Sequence, residues 1–97
     1  MSDLNVVALL TAKPGSEDVV SGALTKLAAA TREEEGCVSY ELLVSQADPS
    51  TFITIERWRS QDDLDAHMQT PHIAEALAAA GPHLAAAPAI HPLAPVA

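Results

Sequence analysis

Between Glu34 and His72 the chain gathers most of the side chains able to move a proton or hold an aromatic molecule: Glu34-Glu35-Gly36-Cys37, Tyr40-Glu41, Ile55-Glu56-Arg57-Trp58 and His67-Met68-Gln69-Thr70-Pro71-His72. All three aromatic residues (Tyr40, Phe52, Trp58) and two of the four histidines lie there. His67 is the leading candidate for a general base. Neutral imidazole titrates near pH ~6.5, and Asp63, one helical turn earlier, could hold the ring in one tautomer. The plainer alternative is a boundary residue of an amphipathic helix making an ordinary i,i+4 pair with Asp63. Glu56 could be a second acid or base if buried, or simply meet a cross-strand Arg or Lys. Trp58 falls on the same strand face as Glu56 and could form a flat wall for an aromatic ligand, worth about 0.5–1.5 kcal/mol beyond its buried area, or could be plain core. Tyr40 is expected to bury its ring, with its hydroxyl reaching a cavity. His72 would either bring a second imidazole to the pocket mouth or cap a helix. His67 and His72 stand five apart across Pro71, so they do not share a helical face. With no third ligand nearby, no metal site is expected.

The elements that must position these residues follow from local pattern. Leu4 to Ala12 is almost wholly apolar and too short for a typical helix, which predicts a strand buried on both faces, ended by Lys13-Pro14-Gly15. Ser16 is a suitable N-cap for a helix to about Glu34, with Val20, Ala23, Leu24, Leu27 and Thr31 at helical spacing. Gly36 sits where a left-handed cap would be. The three acids Glu33 to Glu35 oppose the helix dipole there, and simple solvation explains them. Cys37 to Gln46 predicts a second strand with Val38, Tyr40, Leu42 and Val44 on one face. Phe52 to Arg59 predicts a third, with Phe52, Thr54, Glu56 and Trp58 together. Ser60 caps a second helix with Leu64 and Met68 inward. Thr70-Pro71 breaks it, and an Ala-rich segment runs from about His72 to Ala80. A last strand around Ala89 to Leu93 is confined to a sheet edge by Pro92.

This β-α-β-β-α-β order predicts an α+β, ferredoxin-like domain: a four-stranded antiparallel sheet with helices on one face, one domain over residues 1–97 with its core at about 4–93. The other sheet face keeps apolar residues with nothing in the chain left to cover them, so a homodimer packed sheet to sheet is expected.

Composition restricts the partners. Five basic against thirteen acidic residues give a net charge of −8, which repels nucleic acid and anionic lipid. The longest apolar runs are far short of the roughly 20 residues a spanning helix needs, so no membrane partner is expected. The start, Met-Ser-Asp-Leu-Asn, lacks the pattern of a secretion signal, and a cytoplasmic location is expected. The single cysteine, Cys37, cannot form an internal disulfide and is read as a small buried residue. His83 and His91 read as loop and strand residues with no constellation of chemical groups expected around them.

Three blocks at their spacings, Glu34-Glu35-Gly36-Cys37-x-x-Tyr40, Glu56-x-Trp58 and Leu64-x-x-His67-x-x-Thr70-Pro71-His72, resemble the antibiotic biosynthesis monooxygenase family, most closely its quinol monooxygenase branch, over about residues 4–80. The resemblance implies a dimeric α+β barrel that oxidises a quinol or phenolic polycycle with O₂ and no cofactor. The family also includes isomerase-like and haem-degrading members. The latter use an asparagine on the first strand, for which Asn5 falls too early. Two alternatives remain beside the oxygenase: an isomerase using the same base, and a non-catalytic module binding a small aromatic ligand.

Overall fold

The computed structural model describes residues 3–97; Met1 and Ser2, part of the stretch in which no secretion signal is expected, lie outside the described residues. The elements are β1 (Leu4–Thr11), α1 (Glu17–Thr31), β2 (Cys37–Val44), β3 (Thr51–Trp58), α2 (Gln61–His67), α3 (Pro71–Ala80), a 3₁₀ turn (Gly81–His83) and β4 (Ala89–Leu93). The strands form one sheet in the order β2-β3-β1-β4, every neighbouring pair antiparallel. This is the ferredoxin-like α+β arrangement. No helix among the described residues is long and apolar enough to cross a membrane.

Along β1, Val6, Ala8 and Leu10 point to the helices and are buried, whereas Leu9 on the other face is 37% exposed. The expectation of a strand covered on both faces therefore fails for the single chain, because helices cover only one side of the sheet. The inner face of β3 carries Phe52, Thr54, Glu56 and Trp58, all buried, as the alternation predicted. On β2 only Tyr40 and Leu42 of the predicted face turn inward to any depth. The register shifts between Cys37 and Ser39, so Val38 leaves the ladder and is half exposed, and Val44 lies exposed at the strand's far end. Cys37 is only partly buried.

The caps and breaks have local causes. Ser60 Oγ accepts from the Asp63 amide at the start of α2, while Thr70 Oγ1 accepts from the Ile73 amide and donates to the His67 carbonyl. Thr70 thus ties the end of one helix to the start of the next, and Pro71 occupies the position where a missing N–H costs nothing. Ser16 does not cap α1 through its side chain. Its hydroxyl lies 3.1 Å from His83 Nδ1 instead. Gly36 is not left-handed either. It is needed because a Cβ would collide with the Asp63 side chain packed against it. β4 pairs only with β1, which leaves Pro92 on an edge strand.

Candidate active site

Between the inner sheet face and the helices lies a cavity of about 200 Å³. Its floor comes from Ala8, Leu10, Tyr40, Thr54 and Glu56 on the sheet, and its walls from α1, α2 and α3. The half-exposed Met68, Leu77 and Ile90 form the outer rim. Met68, expected inside, stands at this rim because α2 ends at His67, and the two inward residues of that helix are Leu64 and His67. The lining is apolar apart from Thr54, Glu56, Tyr40 and His67, a pattern suited to a mostly hydrocarbon molecule held by a few polar contacts.

His67 is 3% exposed and lines the cavity. Its Nδ1 is bonded to Glu34 Oε2 at 2.5 Å, which leaves Nε2 as the nitrogen available to a bound molecule. Asp63 does not orient the ring. Both its carboxylate oxygens are held at 2.9 Å by Arg59, one of them also by Ser60 Oγ, and the Arg59 pairing keeps its acidity above that of an ordinary aspartate. Glu34 takes the role instead, from the turn after α1. The sign of it in the sequence was the acidic run at the negative end of a helix, where carboxylates are ill placed unless something else holds them. Fold topology, not helical spacing, brings Glu34 to His67.

Glu56 is buried without a cation. Its two oxygens accept from Thr54 Oγ1 (2.6 Å) and Trp58 Nε1 (2.8 Å), so the cross-strand Arg or Lys alternative does not hold. Thr54 was not singled out from sequence, although its place two residues before Glu56 on the same face was visible. Trp58, expected as a wall for the ligand, is fully buried and does not line the cavity. It stacks behind His67 with ring centroids 4.6 Å apart and fixes Glu56 through its indole N–H. The reason is that Trp58 ends β3 beneath α2, where its own bulk fills the space. Tyr40 lines the cavity, and burial, followed by the negative charge of Glu56, pushes its phenol well above the ordinary range. His72 neither lines this cavity nor caps a helix, since Thr70 performs the capping. Its Nε2 lies 2.8 Å from the same Glu34 oxygen. Because α2 stops before Pro71, His67 and His72 sit on different helices, and the objection that they share no helical face does not apply.

A buried imidazole held by a part-buried carboxylate, with a second, buried carboxylate beside it, lines an apolar cavity between the sheet and the helices of an α+β fold. The chain belongs to the antibiotic biosynthesis monooxygenase family, whose model matches residues 4–79. It is 34% identical to Rv0793 of Mycobacterium tuberculosis over 98% of this chain and 93% of the relative. It is 32% identical to the Escherichia coli K12 protein named "Probable quinol monooxygenase YgiN" over 72% of this chain and 77% of the relative. The structure of PA3566 from Pseudomonas aeruginosa superposes with a TM-score of 0.91 at 30% identity, covering 100% of this chain and 97% of that one. The general role is accordingly that of a monooxygenase, an oxidoreductase acting on a small molecule.

Proposed function

We propose that the protein is a cofactor-independent monooxygenase that oxidises a quinol or phenolic polycycle with O₂, using His67 as the base. The observation that carries this reading is the His67 ring, buried at the cavity wall with Nδ1 held by Glu34 Oε2. In the neutral ring, Nδ1 donates to the carboxylate and the Nε2 lone pair faces the substrate. A phenolic O–H placed there loses its proton to Nε2, and the imidazolium formed is stabilised by Glu34 at its other nitrogen. The resulting anion is electron-rich enough to react with O₂ directly. For a quinol, one oxygen atom enters the ring and the other leaves as water, the substrate supplying both electron pairs. The apolar walls keep bulk water from the anion. Glu56, held by Thr54 and Trp58 beside the same cavity, is the second group able to exchange a proton with substrate, and Tyr40, in the cavity lining, contacts the substrate. Trp58 and His72 act through others, Trp58 behind the His67 ring and on Glu56, His72 on Glu34.

Oxygen uptake tests the reading. With a panel of reduced naphthoquinols and anthrones and a chelator present, consumption above the uncatalysed rate that is lost in His67→Ala supports it. Conversion without air points to the isomerase instead. Saturable binding without turnover across the panel points to the ligand-binding module.

A further inference from the structure

Glu34, His67 and His72 come from three separate segments, the turn after α1, the end of α2 and the start of α3, and present one carboxylate oxygen and two imidazole nitrogens within 4.8 Å of one another. Glu34 Oε2 lies 2.5 Å from His67 Nδ1 and 2.8 Å from His72 Nε2. Two imidazoles and a carboxylate are a donor set that first-row divalent ions accept. Around a tetrahedral ion with bonds of about 2.0–2.1 Å, neighbouring donor atoms lie about 3.4 Å apart, so the two oxygen–nitrogen separations would each widen by less than about 1 Å while the two nitrogens, within 4.8 Å of each other, settle to the same spacing by side-chain rotation. His67 is buried, while His72 keeps a quarter of its side chain exposed and lines a second hollow between α1 and α3, bordered by Ala23, Leu27 and the mutually neutralising Lys26–Glu75 pair, which offers an ion a route from solvent. The net charge of −8 also favours a cation.

We propose that Glu34, His67 and His72 form a site for a divalent ion of the Zn²⁺ type, and that filling it competes with the base role given to His67. An ion on Nδ1 takes the lone pair of that nitrogen and draws Glu34 Oε2 off the ring, so the ring proton of a neutral imidazole resides on Nε2. That nitrogen then has no lone pair to offer the substrate. The competition rests on the proposed monooxygenase reading; the site itself does not.

The two are therefore tested separately. Chelator-stripped protein is titrated with Co²⁺, whose low-symmetry complexes with nitrogen and oxygen donors give an intense visible band, and the bound Co²⁺ is then displaced by Zn²⁺. One equivalent per chain is expected. His72→Ala and Glu34→Gln should each weaken binding by at least the roughly 10–100-fold that loss of an outer-shell partner costs at metal sites, while His91→Ala leaves it unchanged. Circular dichroism shows that the variants are folded, and His72 is exposed enough for truncation to be tolerated. No band at millimolar Co²⁺, or a band that survives both substitutions, overturns the site. Where a substrate is turned over in the presence of chelator, Zn²⁺ at saturating concentration should abolish that turnover and chelator restore it. Undiminished turnover with Zn²⁺ bound overturns the competition while leaving the site standing.

Discussion

Glu34 accepts hydrogen bonds through one oxygen at two imidazoles, and its removal should separate orientation from base strength. His67→Ala, which deletes the proposed base, is expected to lower kcat by about 10²–10⁴, the usual contribution of a positioned general base. Glu34→Gln keeps the shape of the side chain but not its charge, and its smaller loss, about 10–100-fold, should fall on kcat with KM little changed. Equal losses in kcat/KM arising wholly from KM would assign both residues to binding. Tyr40 gives a probe of the cavity that no other residue confuses, because it is the only tyrosine in the chain. Its phenol is held in the neutral form by burial and by the charge of Glu56, so the folded value lies above the unfolded one. The unfolded chain therefore gives up this proton first as pH rises past about 10, the folded protein binds more protons than the unfolded, and stability declines from there upward. The native protein should show no phenolate absorbance at pH 10–11, urea should make it appear, and Tyr40→Phe should lose less stability than wild type between pH 8 and pH 11. Phenolate seen in the folded protein at pH 10 would contradict the burial argument.

At the scale of elements, the junction where α1, β2, β3 and α2 meet does most to set His67 in place. The Asp63 side chain packs on Gly36, whose carbonyl accepts from the Arg59 amide, and Arg59 grips Asp63 with two bonds. Gly36→Ala forces this cluster apart and is expected to cost about 1–3 kcal/mol, read as a shifted urea midpoint. Thr70→Ala removes the cap of α3 together with the tie to the His67 carbonyl, with an expected cost of about 1 kcal/mol and a larger proportional loss of turnover than of stability. What could be read from the chain and what could not divides along these lines. The strands to within about two residues of their ends, the Thr70-Pro71 break and the edge position of Pro92 are local signals, set by residues next to one another, and they were legible. So was the inward face of β3, because alternation needs no partner. The bulge at Val38 was not, since it depends on how β2 pairs with β3. Neither was the choice of Glu34 over Asp63. Helical spacing offered Asp63, and only the return of β3 into α2 gave Arg59 the stronger claim on it. Trp58 shows the same limit in another form: its face was legible, but whether it lined a cavity or filled one depended on α2 crossing above it.

The whole molecule leaves one sheet face without cover. On that face the register aligns Val7 with Ile55 and Leu9 with Ile53 between β1 and β3, and Leu43 with Ile53 between β2 and β3, so five aliphatic side chains form one contiguous patch. Leu9, Leu43 and Ile55 are each more than a third exposed, and the helices are all committed to the opposite face. A patch of this kind is unusual on a lone domain of this size, where little apolar surface is buried to begin with. We propose that a second copy covers it, sheet against sheet, which would bury the roughly 1,200 Å² or more expected of a stable interface. The arrangement bears on the site as well as on stability, because Thr54 and Glu56 alternate along β3 with Ile53 and Ile55, and a strand pressed from outside has less freedom to move its inner side chains. Sedimentation velocity at micromolar protein should give a species of twice the 10.1 kDa chain. Ile55→Glu, which sets two like charges against each other at a self-complementary contact, should give the monomer. It should also lower the urea midpoint and make that midpoint independent of protein concentration, whereas the wild type's rises with concentration. A wild-type chain that sediments as a monomer across that range, with a concentration-independent midpoint, would leave the aliphatic face in need of a different partner.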